Sequence, residues 1–296
     1  MKNKLKILLQ FLGLAMLFVA CTPDNPKMAA LLNKSQLQFT VVPDASNPNK
    51  IVLTSLTPNV TPYWVTPMGN STSLVDTIDI PFPGTDTIYY SVEGAGGLVT
   101  AEPYVLTITT IDPSYVSDPL WTYLAGGLGY SKTWVLDLDA NGVSKYFQGP
   151  LYFYGTYDSW ETVTAGVTAP SGADSWNWCP SWSGNTWLMP AGNYGTMTFD
   201  LKNGVHFTSN NLMIPALGSA SGKYMLSPNT HTLTTTGAEI LHDLGNDPNV
   251  TSWGSIKVMS LTANTMQLGV MRHTCSAGGP CTLVYNFVSQ AYYESH

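Results

Sequence analysis

Four tryptophans stand close together in the second half of the chain, in a segment that is otherwise made of small and polar residues. The segment SWNWCPSWSGNTW, residues 175–187, contains Trp176, Trp178, Trp182 and Trp187. A core strand would surround tryptophan with branched aliphatic residues, and this stretch has none before Leu188. A flat indole covers the C–H face of a sugar ring and brings a large apolar area on a stiff side chain. The segment therefore predicts a stacking platform for a carbohydrate.

Neighbouring aromatic and polar residues would hold and orient such a ligand. We expect contacts from this segment and from YFYGTYDSW at 152–160, namely Trp176, Trp178, Trp182, Trp160, Tyr154, Tyr157, Asp158, Asn177 and Asn185. Some indoles must cap the core instead. Trp187, which precedes Leu-Met-Pro, is expected to be buried, Trp178 is open to either role, and Trp176 and Trp182 are expected to be exposed.

Catalysis is the alternative use of such a site. Most glycosidases need two carboxylates about 5–10 Å apart. Asp158 and Glu161 are the only acidic pair beside the tryptophans, and neither a G-x-S-x-G elbow nor a serine–histidine–acid set is present. We therefore predict binding without catalysis. A glycoside hydrolase that uses Asp158 and Glu161 is one alternative, and a cell-surface adhesin that binds protein is another.

One segment partly matches a calcium-binding loop. DLDANG, residues 137–142, offers Asp137, Asp139 and Asn141, but the twelfth loop position is Gln148 where the pattern has Glu. A hairpin with Asn-Gly at its tip explains the segment more simply. No cofactor and no metal site are predicted, because the histidines have no zinc-ligand spacing relative to the cysteines.

The cysteines fit an exported protein. Cys275 and Cys281 flank a short loop that a disulfide could close in an oxidising compartment, which would leave Cys179 over. The alternative, that all three are reduced small side chains, is equally open.

The N-terminal segment predicts export and lipid anchoring. Three lysines precede an apolar run from Leu8 to Val19, and Ala20-Cys21 follows, so residues 1–20 have the features of a signal peptide. Cys21 stands where bacterial lipoproteins carry their lipid, and residues 21–27 suit a polar tether. We expect a protein anchored to the outer membrane and exposed at the cell surface.

Composition restricts the partners. Charged residues are 10% of the chain, against about 25% in typical proteins. Net charge is −7, and Arg272 is the one arginine. Nucleic acid and other polyanions are therefore excluded as predicted partners, since binding them needs clustered Lys and Arg. A neutral polysaccharide or oligosaccharide fits better.

Short alternating strands separated by turn residues predict an all-β fold in two domains. The first, 28–112, has strands at 37–42, 50–55, 62–67, 75–80, 86–92 and 103–110, typical of an Ig-like or PKD-like sandwich. The second, 113–296, has strands at 132–139, 143–148, 150–155, 194–201, 205–214, 222–227, 231–237, 255–261, 265–272 and 281–289. This second domain is predicted to be a larger antiparallel sandwich, jelly-roll-like, or alternatively a closed β-barrel.

Together these features resemble the surface glycan-binding lipoproteins of starch-utilisation-like (Sus-type) uptake systems in Gram-negative bacteria. The resemblance is carried by FVAC at 18–21, the Ig-like first domain, KTWVLDLDANGVSKYFQGPLYFYG at 132–155 and NTWLMPAGNYGTMTFDLKNG at 185–204. It implies a non-catalytic protein that holds polysaccharide at the outer surface. The implied partners are a TonB-dependent transporter and its lid lipoprotein.

Overall fold

Antiparallel strands make up most of the fold, as the sequence predicts. The computed structural model describes residues 29–157, 174–246, 248–275 and 279–296. The proposed signal peptide and tether, with Cys21, lie outside these residues, and so do Asp158, Trp160 and Glu161. In the described part of the chain, no helix has the length and apolar character that a membrane crossing requires.

The chain divides into two compact units. The first contains residues 29–42, Ile51–Ile78 and Asp86–Leu106, and the second contains Pro43–Lys50, Asp79–Thr85 and Thr107–His296. The second unit thus takes in three short stretches of the domain that the sequence analysis placed at 28–112.

Eight strands precede the barrel, in two sheets. They are β1 (Phe39–Asp44), β2 (Asn47–Ser55), β3 (Thr61–Thr66), β4 (Gly69–Ser71), β5 (Val75–Asp79), β6 (Gly84–Gly94), β7 (Gly97–Thr100) and β8 (Tyr104–Ile108). One sheet has the order β1-β2-β5, and the other has the order β4-β3-β6-β7, with β8 also paired to β6. Trp64 is fully buried, with ring centroids 5.8 Å from Phe39 and 4.5 Å from Tyr90. Since Phe39 belongs to the first sheet and Tyr90 to the second, this aromatic contact joins the two layers of a sandwich.

The remaining ten strands form one antiparallel sheet. They are β9 (Ser131–Leu136), β10 (Leu151–Tyr154), β11 (Asn177–Trp178), β12 (Gly195–Asp200), β13 (His206–Asn211), β14 (Ser219–Ser227), β15 (Thr232–Thr236), β16 (Ser255–Leu261), β17 (Thr265–Arg272) and β18 (Cys281–Ser289). Strands β12 to β18 pair in chain order, and β9 pairs with both β12 and β18. This double pairing of β9 closes eight strands into a barrel, which is the second arrangement that the sequence left open.

The ladder along β18 divides one edge between two partners. Phe287, Val288 and Ser289 pair with β9, whereas residues 282–285 pair with β10. Strand β10 in turn carries β11. The β10–β11 pair therefore branches off the barrel beside the strand that closes it.

Alternating side chains fill the barrel. Along β18 the inward residues are Cys281, Leu283, Tyr285 and Phe287, each of which is fully buried. Successive side chains of a strand point to opposite faces, and eight strands leave an interior that side chains can just fill. The barrel is therefore a packed core.

A short helix that the sequence analysis missed packs on the barrel. Helix α1 (Pro119–Ala125) is capped by Asp118, whose Oδ1 accepts from Leu120 N at 2.8 Å, and ends at Gly126 with a φ of 87°. Asp before Pro and a left-handed Gly after the last turn are established helix-boundary signals. Trp121 in this helix is fully buried and lies 5.8 Å from Tyr224 of β14. A second helix, α2 (Gln290–Ser295), follows β18.

The predicted strand at 143–148 is wrong. The chain does turn at Asn141-Gly142, where Gly142 N donates to Asp139 O at 3.1 Å and Asp139 N donates to Val143 O at 3.0 Å, but no second strand completes a hairpin. Strand β9 ends at Leu136, and no strand covers 143–148. The reason is Asp137, which is fully buried and accepts hydrogen bonds from the backbone N–H groups of Lys145, Tyr146 and Phe147 at 2.6, 3.1 and 2.6 Å. These N–H groups therefore donate to a carboxylate, whereas the prediction had them donate to the backbone of a neighbouring strand.

Candidate functional site

Aromatic side chains gather in a cleft at one end of the barrel. We call this the aromatic cleft. It has a volume of about 400 Å³ and is lined by Phe153, Trp176, Trp178, Trp187, Leu188, Gly245, Asn246, Arg272 and Cys275. The lining combines three tryptophans from the sequence-predicted segment with the only arginine of the chain.

Strand alternation places two of these tryptophans on one face. In the register of β10 and β11, Phe153 lies opposite Trp178 and Tyr154 lies opposite Asn177. Gly155 N continues this pairing by donating to Trp176 O at 2.7 Å. Trp176 and Trp178 therefore share the face of Phe153, because residues two apart in a strand point the same way.

The rings form an offset stack. Phe153 and Trp178 have centroids 5.3 Å apart with planes inclined by 27°, and Trp178 and Trp187 have centroids 6.2 Å apart with planes inclined by 26°. The exposed fractions of Trp176, Trp178 and Trp187 are 39%, 42% and 73%. Since large apolar side chains exposed together mark interaction surfaces, this stack is a candidate binding surface.

The burial predicted for Trp187 is wrong, and so is the exposure predicted for Trp182. Trp187 is the most exposed tryptophan of the cleft, because the buried Leu188 and Met189 that follow it carry the chain into the core. Trp182 is half-buried and packs against that core, and its Nε1 donates to Met189 O at 3.0 Å. A Cβ on Gly142 would overlap the Trp182 ring, which explains the glycine of the DLDANG segment.

The other predicted ligand residues lie elsewhere. Tyr154 is buried in a cluster on the opposite face of β10, together with Tyr152, Met259 and Val284. Asn177 is exposed and shares the face of Tyr154, away from the cleft. Asn185 uses its Nδ2 to donate to Ser181 O at 3.0 Å within a local turn. Tyr157 is 41% exposed and does not line the cleft.

Arg272 is the cationic group of the cleft, and the sequence analysis assigned it no role in binding. Its Nε donates to Pro248 O at 3.2 Å, and its Nη1 donates to Asn246 Oδ1 at 3.4 Å. Asn246 is buried and donates through Nδ2 to both carboxylate oxygens of Asp243 at 3.0 Å and to Leu188 O at 3.1 Å. This buried amide thus links the guanidinium to a carboxylate and fixes the position of Arg272.

A buried tyrosine completes this network. Tyr285, an inward residue of β18, donates from its hydroxyl to Asp243 Oδ1 at 3.0 Å. The guanidinium of Arg272 is therefore connected through Asn246 to a buried carboxyl group that is itself anchored in the barrel. This network presents N–H donors beside aromatic faces.

The cysteines at the rim are paired. Cys275, which lines the cleft, forms a disulfide with the buried Cys281 at the start of β18, with their Cα atoms 6.0 Å apart. Cys179 remains a thiol. The disulfide fixes one wall of the aromatic cleft to the barrel.

The calcium pattern has a structural explanation. The Asp137 carboxylate accepts three backbone N–H groups, as described above, and Asp139 Oδ1 accepts from Asn141 N at 2.8 Å and Val143 N at 2.9 Å. Both aspartates thus bind their own loop. Across the described ranges, no group of three or more His, Cys, Asp or Glu side chains is arranged to hold a metal ion.

No protein-family profile matches the chain, and no curated protein matches it either.

Proposed function

We propose that the protein binds a neutral polysaccharide in the aromatic cleft and does not catalyse a reaction on it. The observation that carries the proposal is that three exposed tryptophans, Trp176, Trp178 and Trp187, line the same cleft as a hydrogen-bonded arginine. Clefts of this volume with an apolar lining and a few placed polar groups are typical ligand sites.

The chemistry of the cleft suits a sugar ring. The outer face of Trp187 is open, so it offers an indole plane to the C–H face of a pyranose. Arg272 and the indole N–H groups then serve as donors to hydroxyl or ring oxygens. A single site of this kind binds weakly, so retention of a long chain would come from several simultaneous contacts.

The proposed cellular setting follows from the sequence. Lipid attachment at Cys21 would anchor the protein to the outer membrane, and the sandwich, of Ig-like or PKD-like type, would act as a spacer. A TonB-dependent transporter and its lid lipoprotein are the proposed partners for uptake. Support comes from the apolar run before Ala20-Cys21 and from the resemblance to Sus-type lipoproteins.

Removal of the Trp187 indole tests the binding proposal. We expect the wild-type protein to be retarded in gels that contain one of a panel of neutral polysaccharides. Trp187→Ala should weaken binding by about 2 kcal/mol, which is roughly 25-fold in Kd, as truncation of a stacking anchor does. Affinity electrophoresis measures the retardation, and circular dichroism checks that the fold is unchanged.

Tyr130→Ala is the matched control, since Tyr130 is 66% exposed and lies outside the cleft. It should bind like the wild type. Equal binding by Trp187→Ala and wild type would place the site elsewhere, and new reducing ends in the same mixtures would contradict a non-catalytic role.

A further inference from the structure

A second cavity opens at the same end of the barrel and shares no lining residue with the aromatic cleft. We call it the mouth cavity. It has a volume of about 370 Å³ and is lined by Ser209, Leu217, Gly218, Ala220, Thr235, Gly237, Ala238, Glu239 and Gly254. The strand register shows that both cavities lie at the same end. Thr234, beside Thr235 of the mouth cavity, pairs with Ser255 at the start of β16, and the start of β16 lies beside the end of β17, which carries Arg272 of the aromatic cleft.

The cavity exists because the barrel lining changes character along three strands. Deep in the barrel, the inward residues Phe207, Tyr224 and Leu233 are large and almost completely buried. Toward the mouth, the same faces carry small or polar residues: Ser209 and Asn211 on β13, Gly222 and Ala220 on β14, and Thr235 on β15 followed by Gly237. A packed core therefore gives way to a hollow lined by small residues and a few polar side chains.

Thr235 is the decisive residue. It is 6% exposed and lines the cavity, and within the described part of the chain its Oγ1 has no hydrogen-bond partner. A buried hydroxyl without a partner costs about 1–3 kcal/mol, so such groups are rare in folded proteins and call for an explanation. A ligand hydroxyl that binds Thr235 supplies one.

Glu239 adds an acceptor on another wall. Its Oε2 lies 3.1 Å from Nε2 of the buried His242, whose ring stacks on Trp253 with centroids 3.7 Å apart. This contact holds the carboxylate, and among the described residues Oε1 of Glu239 has no hydrogen-bond partner. A carboxylate accepts from hydroxyls, whereas Thr235 and Ser209 both donate and accept.

We infer that the mouth cavity is a second binding site, which takes one neutral polyhydroxylated unit of monosaccharide size. The lining has no aromatic side chain, so the unit is held by hydrogen bonds to Thr235, Ser209 and Glu239 and not by stacking. The volume lies at the lower end of the range for small-molecule sites. This site does not depend on the proposed function of the aromatic cleft.

The test uses the amide signals of Gly218, Gly237 and Gly254 in the purified ¹⁵N-labelled protein. D-glucose, D-mannose, D-galactose and D-xylose are titrated separately into the millimolar range, and we expect at least one to give saturable shifts. Thr235→Val should raise the Kd for that sugar by about tenfold, or 1.4 kcal/mol. It should not lower the free energy of unfolding, because the removed hydroxyl has no partner in the protein to lose.

Two controls separate this site from the aromatic cleft and from a packing effect. Thr235→Ser keeps the hydroxyl and should bind the sugar like the wild type. Trp187→Ala should leave the glycine shifts unchanged even where polysaccharide binding is lost. The inference is overturned if none of the four sugars shifts these signals, if Thr235→Val binds like the wild type, or if ethanolamine shifts them and the sugars do not.

Discussion

At the scale of single residues, buried polar side chains determine the local path of the backbone. Asp137 is the clearest case, since its carboxylate replaces a partner strand for three successive N–H groups. Burial raises the pKa of Asp137, and the hydrogen bonds from Phe147, Lys145 and Tyr146 oppose that shift by favouring the ionised form. The loop at 143–148 therefore depends on an acceptor with two available oxygens.

Asp137→Asn should destabilise the protein by about 1–3 kcal/mol, because the amide keeps one acceptor oxygen and turns an NH₂ group toward the remaining N–H donors. Urea unfolding followed by tryptophan fluorescence measures the loss. Asp139→Asn is the matched control: a single oxygen, Oδ1, accepts both backbone hydrogen bonds there, and asparagine retains that oxygen. If the two variants lose the same stability, the account of Asp137 is wrong.

Residue patterns predicted part of the aromatic cleft. Trp-Asn-Trp at 176–178 has the period of a strand, and that signal alone would have put Trp176 and Trp178 on one face and Asn177 on the other. Burial of Trp187 was predicted from its neighbours Leu188 and Met189, yet neighbours in a chain that turns do not share an environment. Local sequence patterns could not have assigned Arg272 to the cleft. It lies almost a hundred residues after Trp176 in the sequence, and only the tertiary fold brings the two together.

At the scale of elements, the cleft is built where irregular segments join the end of the barrel. Strand β11, the loop to Leu188 and the turn at Gly245 all contribute to it. The disulfide between Cys275 and Cys281 ties the remaining wall to the first residue of β18. Segments of this kind have few backbone partners, so a covalent link contributes strongly to their order.

Cys275→Ser should therefore lower the free energy of unfolding by about 2 kcal/mol, as expected for a disulfide that closes a short loop. It should also weaken glycan binding, because Cys275 lines the cleft. Urea unfolding and affinity electrophoresis provide the two measurements. Cys179→Ser, which removes a thiol outside the disulfide, is the control and should change neither property strongly. If Cys275→Ser is as stable as the oxidised wild-type protein, the disulfide does not stabilise the fold as proposed.

The strands were predicted best where turn residues mark both ends of an apolar run. The predicted bounds 255–261, 265–272 and 281–289 coincide with β16, β17 and β18, because hydrophobic residues and turn residues agree there. The prediction of a strand at 143–148 was wrong because Asp137, an aspartate outside the segment, accepts the backbone hydrogen bonds that a partner strand would accept. Helix α1 was missed because its few residues are too short for a clear helical period, although Asp118, Pro119 and Gly126 mark its ends.

At the scale of the whole molecule, closure of the barrel leaves its last strand, β18, buried and paired on both edges. The partners β9 and β18 are separated by well over a hundred residues, so no local pattern could have shown that they pair. The sequence for this reason left the sandwich and the barrel as alternatives.

Hydrogen exchange should reveal this closure. The amides of β18 should be among the slowest in the protein and exchange only when the barrel unfolds globally, because exposing them requires both edges to open. The short edge strands β4 and β11 should exchange orders of magnitude faster through local opening. Exchange of β18 at the rate of β11 in mass-spectrometric or NMR experiments would show that the barrel is not closed in solution.

The shared edge of β18 has an evolutionary consequence. Strand β9 completes the barrel, whereas the chain from Leu151 to Leu188, which carries most of the aromatic cleft, enters and leaves beside it. Insertions, deletions or exchanges within this stretch would leave all eight ladders of the barrel intact, and binding sites commonly diverge in such segments on a rigid scaffold. Descendants of this chain could thus acquire new ligand preferences by replacing a single hairpin while they inherit an unchanged frame.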